Sequence, residues 1–362
     1  MSSGFLMQIK NWKKAVRNNL LILILSLSMA LLACQQPPVE FSRVLYVFGT
    51  LVDITLLGGN NKTNEEAIRH IDQVFQQMHR DWHAWKPGGE LGILNRAIRQ
   101  GEMIHVSDSL LPLLTQSKQL SIASKGLFNP AIGELISLWG FHSDELPAGP
   151  PPTESEVVTV LAYHPSMSDV EITGDQVVGR NPHIQLDFGG FAKGYALNVA
   201  IKELRQQGIN NAIVNAGGDL CVSGQKNNRA WKIGIRHPQG KGVLASVDAF
   251  DGECVLTSGN YERYREYDGK RYPHILDPRT GMPVMHIASA TVISRDGGLA
   301  DAAATALTVA GVDDWYQVAK QMGLEYVMVV DAQGTVYMNP AMQARIHFEK
   351  EPPEHMIITP AL

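Results

Sequence analysis

Long basic runs are missing from this sequence, and so is any excess of positive charge: the 362 residues carry a formal net charge of -5 and a pI near 6.2. A surface that neutralises many phosphates needs clustered Lys and Arg, so the balance argues against nucleic acid as a partner. Cysteine is scarce too. Three residues make no disulfide framework, and neither their spacing nor their His neighbours form a zinc site. No internal repeat, low-complexity tract or Walker phosphate loop is present. An apolar content of 44% is enough for a sizeable core, in one large domain or two smaller ones.

The N-terminus reads as an export signal. Lys10, Lys13, Lys14 and Arg17 precede Leu20 to Ala33, fourteen residues without a charge. That run falls short of the roughly 20 residues a membrane-spanning helix needs. It ends in Leu-Leu-Ala-Cys, which resembles a bacterial lipobox and implies cleavage before Cys34 and lipidation of its thiol. The expected organisation is a signal peptide over 1–33, a polar, proline-rich tether over 34–43, one domain over 44–350 and a tail over 351–362. The lipid anchor would hold the protein to a membrane of the bacterial cell envelope on the periplasmic side, the inner rather than the outer membrane. An oxidising compartment permits a bridge between Cys221 and Cys254, and a pair of buried free thiols satisfies the sequence as well.

The mature chain reads as α+β, with mixed sheets and packed helices. Val44 to Leu57 alternates as a strand. Thr63 to Glu66 is a capping box opening a helix whose Ala67, Ile71, Val74, Phe75 and Met78 share a face. A second helix is expected over Ser107 to Lys125, ending at Gly126, and Pro147 to Pro152 form a surface loop. A strand and helix follow around 184 to 207, then a strand at Ala212 to Asn215 and hairpins turning at Gln239-Gly240 and Asp268-Gly269. A strand at Ala288 to Ser294, helices from Leu299 and over 313 to 322, and a strand at Tyr326 to Val330 complete the pattern. Strands and helices alternate only in part, which separates this chain from a doubly wound parallel sheet.

Several patterns mimic sites. Gly240 to Ala245 fits a loose dinucleotide fingerprint but lies between two strands, so it reads as a hairpin turn. His79 and His83 share a helix face without a third metal ligand. Ser258, His274 and Asp277 do not make a hydrolase triad, because Thr257-Ser258-Gly259 lacks the nucleophile-elbow form.

Four other stretches set polar or glycine-rich residues between apolar ones. Leu186 to Tyr195 ends a strand in Asp187 and two glycines and starts a helix with Lys193, a turn suited to a phosphate or a polar ring. Val214 to Asp219 ends another strand in glycines. Thr257 to Pro283 contains His274 and the turn Leu276-Asp-Pro-Arg-Thr-Gly281. In Leu299 to Leu307, Asp301 and Thr305 stand four apart on one face of an alanine-rich helix. A carboxylate and a hydroxyl placed so can hold a hard cation, and magnesium, completed by substrate phosphates, is the candidate.

Taken in order, LDFGGFAKGYA, NAGGDL, TSGNYERYREYDGKRYPHILDPRTGMPV and LADAAATAL resemble the ApbE family of flavin transferases. The likeness extends upstream through Phe48-Gly-Thr50, Trp85 to Leu91 and Phe128 to Phe141. It implies a single T-fold-like catalytic domain that, with Mg2+, transfers FMN from FAD to a Thr or Ser hydroxyl of an acceptor protein and releases AMP. By the same resemblance Asp301, Thr305 and the carbonyl of Gly190 would bind the metal. Phe48, Trp85, Leu127, Phe128, Asn129, Asp187, Lys193 and Leu276 would contact FAD. Trp85 stands where relatives often carry tyrosine, Phe48 where many carry methionine, and Asn129 where an acid is frequent. His274 would accept the proton of the acceptor hydroxyl; Asp277, named with it as catalytic, and Arg279 would orient the turn or meet phosphate. Implied acceptors are exported or membrane redox subunits, or FMN-binding domains, carrying D-x-x-[ST]-G-A-[ST]. Asp277 to Gly281 imitates the first half of that pattern and Met282 breaks it, so self-modification is not expected. An FAD pyrophosphatase and a non-enzymatic flavin-carrying lipoprotein are the alternatives.

Overall fold

The computed structural model describes residues 39–362 apart from 87, 144 and 241, and of the preceding segment only Trp12 and Asn19. The expected signal peptide apart from those two residues, Cys34 and most of the expected tether lie outside the described residues. Strands β1 (Glu40–Val47) and β2 (Thr50–Leu57) pair as an antiparallel hairpin, where the sequence predicts one strand over Val44 to Leu57. The break falls at Phe48, whose φ of 56° is costly for a bulky residue and carries no turn signature. Its ring is held edge-on to Phe75 and His79, at centroid distances of 5.4 and 5.9 Å. Helix α1 (Asn61–Asp81) begins two residues before the predicted box. Asn60 is its cap, accepting from the Thr63 N–H, and Ala67, Ile68, Ile71, Phe75 and Met78 are buried.

Next come α2 (Glu90–Gln100), β3 (Ile104–His105), α3 (Leu110–Ala123), α4 (Gly133–Leu138) and α5 (Glu154–Leu161), the last opened by a Thr153/Glu156 capping box. Strands β4 (Val170–Thr173) and β5 (Gln176–Gly179) form a small sheet with β3. The strand expected near 184 reduces to a single bridge between Ile132 and Gln185, because the chain there runs on into the Asp187 turn. Helix α6 (Ala192–Gln206) follows. After it come β6 (Ala212–Ala216), β7 (Asp219–Ser223), the hairpin β8 (Trp231–Arg236) and β9 (Val243–Ala249), β10 (Cys254–Gly259) and the hairpin β11 (Tyr264–Tyr267) and β12 (Lys270–Pro273). The chain closes with β13 (Ile287–Ser294), α7 (Gly297–Gln321), β14 (Tyr326–Asp331), β15 (Val336–Met338), α8 (Pro340–Gln343), β16 (Ile346–Phe348) and β17 (Met356–Ile358).

Among the described residues the main sheet has nine strands in the order β1-β2-β6-β7-β10-β13-β14-β15-β17, parallel only between β15 and β17. The segment read as a C-terminal tail thus supplies an edge strand. Period-two alternation divides the central strands between two cores. Cys254 and Leu256 of β10 face the core under α6 and α7, whereas Val255 faces a second core shared with Trp231, Ile233 and Ile235 of β8. The smaller sheet β16-β9-β8 covers that second core. Cys221 and Cys254 stand opposite each other on β7 and β10 and are joined by a disulfide, Cα to Cα 3.9 Å. The sequence left that pairing open because only the strand register brings the two thiols together.

Helices α6 and α7 meet closely. A Cβ on Gly194 would lie 2.1 Å from the Gly297 carbonyl oxygen and 2.8 Å from Asp301 Cβ, so only glycine allows this approach. The two helices expected after 299 are one run broken at Gly311, φ 74°.

Candidate functional site

Strand ends and helix starts from four parts of the chain meet around a cleft of about 900 Å3. Phe48, Trp85, Leu127, Phe128, Asn129, Asp187, Gly190, Lys193, His274, Leu276 and Thr305 all line it, so the structure brings together nearly every residue singled out from sequence. Asp301 lies just behind the wall, 5% exposed. Asp277 does not line the cleft.

The aromatic end is prepared by hydrogen bonds. Trp85 Nε1 donates to Asp187 Oδ2 at 2.7 Å, and Asp187 Oδ1 accepts from the Gly189 N–H at 2.7 Å. These bonds fix the indole at the cleft wall and hold the Asp187 turn open. Asn129 caps its own turn, accepting from the Ala131 N–H at 3.1 Å and donating to the Pro165 carbonyl.

The polar end is built on α6 and α7. Asp301 Oδ2 accepts from the Gly194 N–H at 2.9 Å, and Oδ1 has no hydrogen-bond partner among the described residues. Thr305, one turn on, points at Gly190: a Cβ placed there would lie 3.1 Å from Thr305 Oγ1. Ser258 Oγ lies 3.3 Å from the same hydroxyl. Burial, with a further contribution from Asp219 and against the pull of Lys193, raises the Asp301 carboxyl well above the usual carboxylate range. Burial opposes the charge of Lys193, yet Asp219, Asp301 and Glu262 outweigh it and hold the ammonium protonated. Among the described residues no three His, Cys, Asp or Glu side chains gather as a metal centre. What is present is one carboxylate with a free oxygen, one hydroxyl and one nearby backbone, a donor set that fits a hard cation sharing its shell with a phosphorylated ligand.

His274 stands at the junction of the two ends. Its Nδ1 lies 3.0 Å from the Arg263 carbonyl oxygen. A carbonyl only accepts, so Nδ1 carries the proton and Nε2 is left as an acceptor. Burial, with Lys193 and Arg263 nearby, lowers the imidazole to about 4, so it is neutral at pH 7.

The LDPRTG turn serves the site from outside. Asp277 Oδ1 accepts from the Arg279 N–H at 2.8 Å and Nε at 3.0 Å, and Oδ2 accepts from Nη2 at 2.9 Å. The same Nη2 donates to the Val309 carbonyl at 3.2 Å, two residues before the break in α7. Asp277 therefore orients the turn and Arg279 ties it to the helix that carries Asp301 and Thr305. Asp277 shares no hydrogen bond with Ser258 or His274, as expected of a sequence without a triad.

Three site residues were not singled out from sequence. Asp219, 5% exposed, pairs with Lys193 and accepts from the Thr257 N–H at 3.1 Å. Glu262 faces the water of the cleft while protein encloses it, and burial, opposed by Lys193, raises it to about 7. Tyr261 is raised to about 12 by burial and then by Glu262. Both lie within a stretch quoted above, but nothing in their spacing marks them.

The fold is thus a mixed sheet layered with helices, with a cleft that is aromatic at one end and carries an acid and a hydroxyl at the other. The profile of the ApbE family matches residues 48–328, and the chain belongs to that family. It is 43% identical over 310 residues to the FAD:protein FMN transferase of Rhodobacter capsulatus, covering 86% of this chain and 59% of that protein. The FAD:protein FMN transferase of Treponema pallidum is 30% identical over 294 residues, 76% of this chain and 80% of that one. Among solved structures, the ApbE protein of Thermotoga maritima superposes with a TM-score of 0.77 at 29% identity, over 86% of this chain and 100% of that one. The flavin transferase ApbE of Vibrio cholerae gives 0.76 at 26% identity, over 85% of this chain and 100% of that one.

Proposed function

We propose that this protein transfers the FMN half of FAD to a Ser or Thr hydroxyl of an acceptor protein and releases AMP. The observation that carries the reading is the buried Asp301 carboxylate, one oxygen free, one helical turn from Thr305 and beside Gly190, at one end of a cleft whose other end is aromatic. The family relatives named above support it.

Phe48, Trp85, Leu127 to Asn129 and Leu276 enclose the flavin end, with the Trp85 indole held against it by Asp187. Lys193 faces the phosphates. Asp301, Thr305 and the Gly190 carbonyl would hold Mg2+, which neutralises charge on the pyrophosphate. The acceptor oxygen forms a bond to the FMN-side phosphorus, and the bond from that phosphorus to the bridging oxygen breaks. AMP leaves with the bonding pair, and the hydroxyl proton passes to His274 Nε2. Ser258 and Arg279 keep the Thr305 side chain and its helix in register.

Lipidation at Cys34 and residence on the periplasmic side of a bacterial membrane belong to the same reading. The Cys221–Cys254 disulfide supports an oxidising compartment. Among the described residues no helix is long and apolar enough to cross a membrane.

One incubation tests the reaction. Residues 35–362 are mixed with FAD, Mg2+ and a flavin-free electron-transfer subunit carrying one Asp-x-x-Thr-Gly-Ala-Thr segment. The expected result is acceptor-bound FMN that survives denaturation, with one AMP per FMN bound. Free FMN and AMP beside an unmodified acceptor would make the protein a pyrophosphatase, and intact FAD would make it a carrier.

A further inference from the structure

Strand β8 is bonded on one side only. It pairs with β9 through Trp231 to Arg236 and ends its sheet, in the order β16-β9-β8. Among the described residues no backbone hydrogen bond occupies its other edge. Trp231, Ile233 and Ile235 anchor it in the second core, while Lys232, Gly234 and Arg236 are exposed.

Two hollows lie along this edge. A groove of about 740 Å3 runs beside Ala230 to Ile233, and the main cleft takes in Ile233 to Arg236. Ile233 lines both, so the strand leads from open surface into the site. Where it enters, Arg236 sits over the Tyr261 ring at 5.0 Å, beside Glu262. None of the residues assigned to flavin or cation lies on β8, so this wall of the cleft is left to the second substrate. Gly234 presents no side chain there; a Cβ on it would lie 3.3 Å from Val243 Cγ2 of β9. Lys226 pairs with Glu40 and Lys232 with Glu349, yet the balance stays cationic: seven Lys and Arg line the two hollows against Glu40, Asp187 and Glu262, and Arg229 pairs with no carboxylate among the described residues.

We propose that an extended, acidic segment of the acceptor protein docks on the open edge of β8 as an added strand and carries its Ser or Thr hydroxyl into the cleft. The proposal rests on the transfer reading above. Strand addition supplies affinity through main-chain hydrogen bonds that do not depend on the acceptor's side chains, and the cationic rim selects for acid. A hydroxyl held in an extended segment also projects from the backbone without a folded surface around it.

The test uses the acceptor subunit defined above and two measurements. Hydrogen exchange of amides 231–236 is followed in the full wild-type chain with FAD and Mg2+, with and without the acceptor. Protection of that strand on adding acceptor is expected; unchanged exchange overturns the proposal. In parallel, Lys232→Pro removes a main-chain donor outside the flavin and cation contacts. Loss of one or two edge hydrogen bonds should raise the KM for acceptor about tenfold with FAD affinity unchanged. An unchanged KM in the folded variant overturns the proposal, and if the variant does not fold, the exchange measurement alone decides. Failure of the transfer reading looks different: the wild type then leaves the acceptor unmodified.

Discussion

Replacing Asp301 by Asn keeps the shape of the side chain and removes its charge, and the structure predicts opposite effects on stability and on cation response. The amide oxygen can still accept from the Gly194 N–H that Asp301 Oδ2 now takes at 2.9 Å. Without a cation, burial first and Asp219 second raise the carboxyl from 3.8 to about 7, against Lys193. A carboxyl whose pKa is higher folded than unfolded holds its proton more tightly in the fold. Its contribution therefore declines as pH rises from the unfolded value through the folded one. At pH 8 the ionised group opposes folding by about 4 kcal/mol as an upper bound. Half of that ceiling, about 2 kcal/mol, would raise Tm by several degrees at roughly 2–4 °C per kcal/mol. Differential scanning fluorimetry at pH 8 should therefore show cation-free Asp301→Asn melting above the wild type. Adding Mg2+ to FAD-loaded protein should raise the wild-type Tm further and leave that of the FAD-loaded variant unmoved. A variant that melts below the wild type and still responds to Mg2+ would refute both the burial argument and the cation site.

His274→Ala should lower kcat by about 10^2- to 10^4-fold with FAD affinity retained, measured by AMP release and flavin fluorescence. Because burial lowers His274 to about 4, the acid limb of kcat at saturating Mg2+ should lie near pH 4, and a limb at 6.5 would remove His274 as the proton acceptor. Arg279→Met leaves the Asp277 carboxylate, buried in the turn, with a single backbone donor. It should cost about 1–2 kcal/mol in urea unfolding, the lower range fitting a half-exposed arginine, and should weaken Mg2+ activation through the released helix. Replacing Cys221 and Cys254 by Ser opens a link between residues 33 apart and should lower stability by about 3 kcal/mol, read by the same unfolding assay.

What was legible in the sequence is what local spacing encodes. Asp301 and Thr305, four apart on a helix, had to share a face. The strand at Ala288 to Ser294 and the turns at Gln239-Gly240 and Asp268-Gly269 were likewise readable from local residue types. The residues that escaped notice depend on register or tertiary approach. Asp219 matters because β7 lies beside β10 and within reach of Lys193 on α6, and the disulfide exists for the same reason. The Phe48 turn was hidden because a phenylalanine at positive φ contradicts local preference and is held there by Phe75 and His79. Asp277, named with His274 as catalytic and expected to orient the turn or meet phosphate, orients the turn through Arg279 and does not line the cleft.

The account stands most directly on where a divalent ion sits when FAD is bound. Crystals grown with FAD and Mn2+, examined by anomalous scattering, should place the ion between Asp301 Oδ1, Thr305 Oγ1 and the Gly190 carbonyl, touching the pyrophosphate. A manganese peak elsewhere in the cleft, with those three oxygens uncoordinated, would contradict it.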